Sequence, residues 1–210
     1  MKITKYEHAC LDIQEGKTRL VVDPGVFSKS MTNFAKIDAV IITHVHPDHF
    51  DPDKLKQIVS ENPDVKILTT AGVAEQLKRN TLTVETNKQY EIGDIQLEFF
   101  GEMHAQISET YPAAQNVGVL LNGRLFYPGD SFTECPKPYQ TLAVPAMAPW
   151  LKFSQTEEYI KNSNASEIFP THDWFINQDG QGLYDRLIGA ACEASNKKYL
   201  PVRVGESLTV

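Results

Sequence analysis

The chain has 210 residues, 41% apolar and 22% charged, which argues against a disordered protein and supplies enough apolar material for a substantial core. Its formal net charge of −7, without any run of like charges, argues against non-specific nucleic-acid binding, which needs clustered Lys and Arg. The three cysteines, Cys10, Cys135 and Cys192, are widely spaced and form no C-x-x-C pair, so a disulfide framework or zinc ribbon is not expected and free thiols in a reducing cytosol are.

The N-terminal stretch lacks the apolar core of a signal peptide, and no apolar run reaches the roughly 18 residues of a membrane span. A cytoplasmic protein is expected. Lys2 to Tyr6, Ala9 to Ile13 and Arg19 to Val22 read as short strands punctuated by Glu15-Gly16 and Pro24-Gly25. Ala39 to Thr43 is an apolar run that suits a buried strand. Asp51 to Val59 reads as a helix with Asp51 as N-cap and Pro52 in the first helical position. A strand at Lys66 to Thr69 and a helix at Ala71 to Arg79 follow. Glu91 to Gly101 reads as a strand pair bent at Gly93-Asp94. Gln115 to Leu121 and Leu125 to Tyr127 form a hairpin around Asn122-Gly123. The remainder is a strand at Thr141 to Pro145, a helix at Thr156 to Asn162, a strand at Glu167 to Pro170, a helix at Gly182 to Ala194 and a strand at Val202 to Val210. Helices interleave with strands that often pair by hairpins, which predicts sheets covered by helices, an α/β (α+β) architecture in a single domain over 1–210.

One segment concentrates chemistry: Thr43-His44-Val45-His46-Pro47-Asp48-His49, directly after an apolar strand. Imidazole and carboxylate are the ligands that zinc and other borderline divalent ions prefer. His44 and His46 are two apart, so in an extended segment both rings share a face and reach one ion. Asp48 and His49 lie beyond Pro47, where the chain turns, and suit a second, nearby ion. His104, Asp130 and His172 each follow an apolar strand, the usual placement of site residues on a rigid sheet. Singly, such a His reads equally as a surface or satisfied core residue and such an Asp as a turn residue.

His44-Val45-His46-Pro47-Asp48-His49 resembles the H-x-H-x-D-H signature of the metallo-β-lactamase superfamily, and His104, Asp130 and His172 resemble its later ligands in order and spacing. His8-Ala9-Cys10, Leu20 to Pro24, Ala146 to Trp150 and Pro170 to Asp173 look like the branch that includes L-ascorbate-6-phosphate lactonase and N-acylphosphatidylethanolamine phospholipase D. The resemblance covers nearly the whole chain. It implies an αββα sandwich, two mixed sheets face to face with helices outside, and two divalent ions at one edge. It implies His44, His46 and His104 on the first ion, Asp48, His49 and His172 on the second, and Asp130 bridging. Asp23 would lie near the metals, although the residues alone read equally as a turn before Pro24. His8 departs from the pattern in following Glu7 where the family has glycine, and is a candidate pocket residue.

The resemblance implies a hydrolase in which metal-activated hydroxide attacks a lactone, ester, amide or phosphodiester in a small molecule, with catalytic Asp48 accepting the proton. Zn²⁺ best suits three imidazoles on one ion, while Mn²⁺ and Fe²⁺ accept the same set. Two divalent ions, two carboxylates and a hydroxide leave a formal charge of about +1, compatible with an anionic substrate. Aspartate at Asp130, where antibiotic-hydrolysing relatives carry cysteine, argues against β-lactam hydrolysis. Tyr111, Phe132, Met147, Trp150, Lys152, Trp174 and Phe175 flank the ligand loops. Aromatics and methionine read first as core residues, and an exposed Trp150 would favour an apolar or ring-bearing substrate. No nucleic acid or membrane partner is expected, and a homo-oligomer is compatible. The rivals are a mononuclear iron redox enzyme of the sulfur-dioxygenase kind and a non-catalytic metal-binding protein, although a structural zinc site closes with four ligands.

Overall fold

The computed structural model describes residues 1–77 and 81–210. In chain order its first elements are β1 (Lys2–Lys5), β2 (Leu11–Glu15), β3 (Thr18–Val22), β4 (Ala39–Ile42), α1 (Pro52–Glu61), β5 (Lys66–Thr69), α2 (Ala71–Leu77) and β6 (Leu82–Thr83). Next come β7 (Gln89–Ile92), β8 (Ile95–Phe100), β9 (Gly118–Leu121), β10 (Leu125–Tyr127) and β11 (Thr141–Pro145). The last are α3 (Phe153–Asn162), β12 (Glu167–Thr171), α4 (Gln178–Ala194), β13 (Lys198–Tyr199) and β14 (Ser207–Thr209). They form two seven-stranded sheets, ordered β14-β1-β2-β3-β4-β5-β6 and β13-β12-β11-β10-β9-β8-β7.

The layering follows from the period-two alternation of strand side chains. In β3, Leu20 and Val22 join the core between the sheets, whereas Val21 packs outward. In β8, Leu97 and Phe99 face inward and Phe100 outward. The outward set of the first sheet, including Val40, Ile42 and Ile67, is covered by Leu55 and Ile58 of α1 and Val73 of α2. That of the second, including Leu142, Val144 and Ile168, is covered by Ile160 of α3 and by Ile188 and Cys192 of α4. Each sheet is thus buried on both faces, which is why its central strands read as continuous apolar runs.

Strand direction decides where the loops go. β3, β4 and β5 are parallel, and β1 runs with them because β2 is antiparallel to both β1 and β3. In the second sheet β10, β11 and β12 are parallel, and β8 runs with β10 because β9 opposes both. The segments that leave β1, β3, β4, β8, β10 and β12 therefore collect at the carboxyl ends of their strands.

Several expected elements differ in extent. The predicted strand Val202 to Val210 shrinks to β14, because Gly205 adopts φ +82° and a turn closes from Glu206 N to Arg203 O. α4 begins at Gln178, capped by Asn177 accepting from Gly180 N; Gly180 and Gly182 blurred the helical signal there. α3 likewise starts at Phe153 rather than Thr156. The predicted end of the second helix, Lys78 and Arg79, lies outside the described residues. All three cysteines are free and buried.

One buried ion pair ties the two sheets together beside the site. Lys5 at the end of β1 donates from Nζ to Asp173 Oδ2 at 2.7 Å, just after β12, and both side chains are buried. Lys5→Met is expected to destabilise the protein by about 3–5 kcal/mol, because it strands the Asp173 carboxylate without a counter-charge. Denaturant unfolding checks this, and adding Asp173→Leu should recover most of the loss.

Candidate metal centre

The His-rich loop is seated by a close backbone approach. A Cβ on Gly25 would lie 1.9 Å from the Asp48 carbonyl oxygen, so only glycine allows the β3 exit to run under this loop, where Val26 N donates to Pro47 O. Similarly, Gly129, at φ +64°, leaves room for Asn116, whose Oδ1 accepts from Asp130 N at 3.0 Å. His8, Asp23 and His172 also adopt positive φ, at +64°, +47° and +58°. Such strained conformations in non-glycine residues persist where neighbouring structure holds them. Here His172 N donates to His8 O at 2.8 Å, joining the β1–β2 turn to the β12 exit.

The loops bring all seven candidate ligands together, and His8 and Asp23 with them. Donor atoms of His44, His46 and His104 lie within 4.8 Å of one another, as do those of His8, Asp48, His49 and His172. Asp130 stands between the groups. Its Oδ1 is 3.0 Å from His49 Nε2, and its Oδ2 is 3.0 Å from His172 Nε2 and 3.4 Å from His104 Nε2. Asp23, His44 and His49 form a third cluster of the same tightness, but its chemistry differs. Both Asp23 oxygens are saturated: Oδ1 accepts from Thr43 N, and Oδ2 from Thr43 Oγ1, Tyr127 OH and His49 Nδ1, all at 2.7–2.8 Å. That cluster is a hydrogen-bond network behind the site rather than a set of open donors.

These bonds settle the imidazole tautomers. Thr43 Oγ1 gives its proton to Asp23, so it accepts from His44 Nδ1 at 3.0 Å. His49 Nδ1 donates to the Asp23 carboxylate, His104 Nδ1 to Ala105 O and His172 Nδ1 to Met147 O. Nε2 of His44, His49, His104 and His172 and Oδ1 of Asp130 are left buried without hydrogen-bond partners. Buried polar atoms are rarely orphaned, and five converging on one space from four strand ends is the donor set of a divalent-cation site. An oxygen acceptor behind each imidazole is the arrangement that orients metal-binding histidines.

The chain's own charges reinforce this. Burial raises the Asp130 carboxyl, but His172 and His49 outweigh it and hold it well below the usual range. Burial likewise raises Asp48, and the imidazoles of His172 and His8 beside it outweigh that and hold it low. Burial drives His44 well below its ordinary value and His8 to about 4. Burial lowers His49 and His172 too, yet the carboxylates prevail, Asp130 foremost, and lift His49 well above its ordinary value and His172 to about 9. The folded value of His172 is raised above 6.5, so in chelator-stripped protein its contribution to stability is full below pH 6.5 and lost as pH rises through about 9. A divalent ion must displace that proton. Metal uptake by stripped protein is therefore expected to tighten at least about tenfold per pH unit between pH 7 and 9, and titrations at pH 7, 8 and 9 that gave one affinity would refute it.

A cleft of about 340 Å³ opens onto the cluster, lined by His46, Asp48, His104, Asp130 and His172 together with Phe27, Pro47, Ile107, Tyr111, Pro149, Trp150 and Phe175. Trp150 is in this wall and buried, in line with the first reading of the aromatics as packed residues: it is 9% exposed and its indole N–H donates to Asp130 Oδ2 at 3.1 Å. Phe132 packs against Trp150 from behind, and Met147 contributes only its carbonyl. Sequence reasoning missed Phe27 and Ile107 in the walls and Thr43, Asn116 and Tyr127 in the supporting network. Thr43, adjoining His44, had a positional signal; the others had none.

Two sheets face to face, helices outside and a His/Asp cluster at the strand ends define a metallo-hydrolase fold of the metallo-β-lactamase type. The model of the beta-lactamase superfamily domain matches residues 2–172, and the chain belongs to that superfamily. Protein Rv0786c of Mycobacterium tuberculosis is 30% identical over 189 residues, which cover 88% of this chain and 89% of that protein. Among solved structures, Igni18, a metallo hydrolase from Ignicoccus hospitalis, aligns with TM-score 0.75 at 16% identity over 99% of this chain and 97% of its own. CmlA, a diiron beta-hydroxylase from Streptomyces venezuelae, aligns with TM-score 0.70 at 13% identity over 100% of this chain and 54% of its own.

Proposed function

We propose that the protein is a dinuclear metal-dependent hydrolase acting on a lactone, ester, amide or phosphodiester bond of a small molecule. The observation that carries this reading is the convergence of the orphaned imidazole nitrogens and Asp130 Oδ1 at the floor of a cleft. His44, His46 and His104 would hold one divalent ion and Asp48, His49 and His172 the other, with Asp130 between them. Zinc suits the three-imidazole group best, with manganese or iron compatible. Bound divalent ions supply Lewis acidity, lowering the pKa of water towards neutrality and polarising the bond under attack.

The chain's residues do the rest. Asp48, the more exposed of the two carboxylates, faces the cleft with Oδ2 3.0 Å from His8 Nε2 and 3.5 Å from His172 Nε2. It would accept the proton of an attacking water, with His8 keeping its carboxylate turned towards the reacting centre. Trp150 fixes the Asp130 carboxylate from the wall, and the apolar residues around the mouth limit water beside the bond.

The test is to purify the protein without chelator, count metals per chain by mass spectrometry, and assay a generic lactone and a generic phosphodiester in the same preparation. Two zinc or manganese ions with metal-dependent turnover support the reading. One iron per chain with oxygen-dependent turnover moves the weight to redox chemistry, and a loaded protein without turnover to a binding role. Asp48→Ala is expected to lower kcat by about 10²-fold or more with metal still bound; full activity in a fully loaded variant would end its assigned role.

A further inference from the structure

The walls of the cleft differ in kind from its floor. Apart from Pro47 and the candidate ligands, the lining is Phe27, Ile107, Tyr111, Pro149, Trp150 and Phe175, and among the described residues no Lys or Arg lines it. Phe27 and Phe175 meet edge to face, with centroids 5.0 Å apart at 81°, and both rest against His8, at 5.5 and 5.2 Å. They make a preformed aromatic corner beside the Asp48 group. Across the cleft, Tyr111 sets its ring edge-on to His46 at 5.7 Å, beside the other group. Phe175 is 51% exposed and Tyr111 49% exposed, so both rings present apolar surface at the mouth instead of spending it in the core. The Trp150 N–H is committed to Asp130, which removes one polar handle from the wall.

On the hydrolase reading above, we infer that the enzyme selects a substrate that carries no charge outside its reacting group, its non-reacting portion being an apolar aryl or short alkyl group held between the Phe27–Phe175 corner and Tyr111. A phosphate- or carboxylate-bearing tail would meet no cationic side chain in the walls and would lose hydration against apolar rings. The volume of about 340 Å³ is enough for a scissile group and one ring. Any anionic group is then drawn to the floor, where it competes with the bond to be cleaved.

Three hydroxamates separate this from the reading beneath it, because they share a metal-binding head and differ in the tail. Acetohydroxamic acid, 4-phenylbutanohydroxamic acid and 4-phosphonobutanohydroxamic acid are titrated calorimetrically into protein loaded with Zn²⁺. The phenyl compound is expected to bind at least roughly tenfold tighter than acetohydroxamic acid, as burial of a phenyl ring predicts, and the phosphono compound no tighter. In Phe175→Ala the ratio of phenyl to acetohydroxamate affinity should fall at least about threefold. If acetohydroxamic acid binds but the phenyl tail adds nothing, or the phosphono tail adds more, the inference is overturned while the metal reading stands. If none of the three binds to the loaded protein, the open metal site that the hydrolase reading needs is absent, and the inference falls with it.

Discussion

Asp130→Ala is expected to lower kcat/KM by about 10³-fold or more and to reduce bound metal below two ions per chain. Asp130 is within reach of both donor groups, 3.0 Å from His49 and His172 and 3.4 Å from His104. Its removal would take a carboxylate from beside both proposed ions and leave the cationic charge of the centre less compensated in a buried place. Asp130→Asn keeps the shape but not the charge and should fall nearly as far. Trp150→Phe is the informative contrast. It removes only the indole donor that fixes Asp130 Oδ2, and losses through such supporting bonds run to about 10–100-fold in affinity or activity. Metal counting by mass spectrometry and steady-state kinetics on the same preparations check the series. An Asp130→Ala protein that held two ions and turned over at the parent rate would remove Asp130 from the site.

The largest expected loss of stability is at Asp23, a residue that never lines the cleft. Its buried carboxylate satisfies Thr43 N, Thr43 Oγ1, Tyr127 OH and His49 Nδ1. Each unsatisfied buried donor costs about 1–3 kcal/mol, and partial relaxation among four neighbours leaves an expected loss of about 4–5 kcal/mol for Asp23→Ala. For a chain of this size that lowers Tm by roughly 8–20 °C. Asp23→Asn fares little better, because it places an amide N–H among donors that all need an acceptor. The acceptor that fixes the His49 tautomer is lost as well, so metal affinity is expected to weaken about 10–100-fold. Thermal scans of chelator-stripped protein read the first effect and metal titrations the second. A Tm within about 2 °C of the parent would show that the network reorganises freely around the missing carboxylate.

Asp23 also shows where local reading stops. The sequence offered a turn aspartate and a residue near the metals as equal alternatives. The structure makes it the first residue after β3 and, because β3 and β4 are parallel neighbours, sets it beside Thr43 and behind His49. Tyr127, 104 positions away, reaches it from the opposite sheet. No pattern within a window of the chain carries that information.

Features encoded at short range were legible in the chain alone. Asp51 and Pro52 start α1 as expected, with the Asp51 side chain accepting from Asp53 N and Lys54 N. Asn122 and Gly123 take φ +50° and +63° and close the β9–β10 hairpin. The apolar runs at Ala39, Lys66 and Thr141 become β4, β5 and β11. The cluster from His44 to His49 announced its chemistry because ligands close in sequence are also close in space. What closes around that cluster depends on the folded chain: the aromatic corner of Phe27 and Phe175, the Trp150 bond to Asp130, the tilted contact of His8 with His172 at 3.8 Å and the Lys5–Asp173 pair. The reason is topological. Strands running the same way in two sheets deliver their carboxyl ends to one edge, so residues from six strand exits meet there, and their contacts depend on sheet order and packing rather than on any local preference.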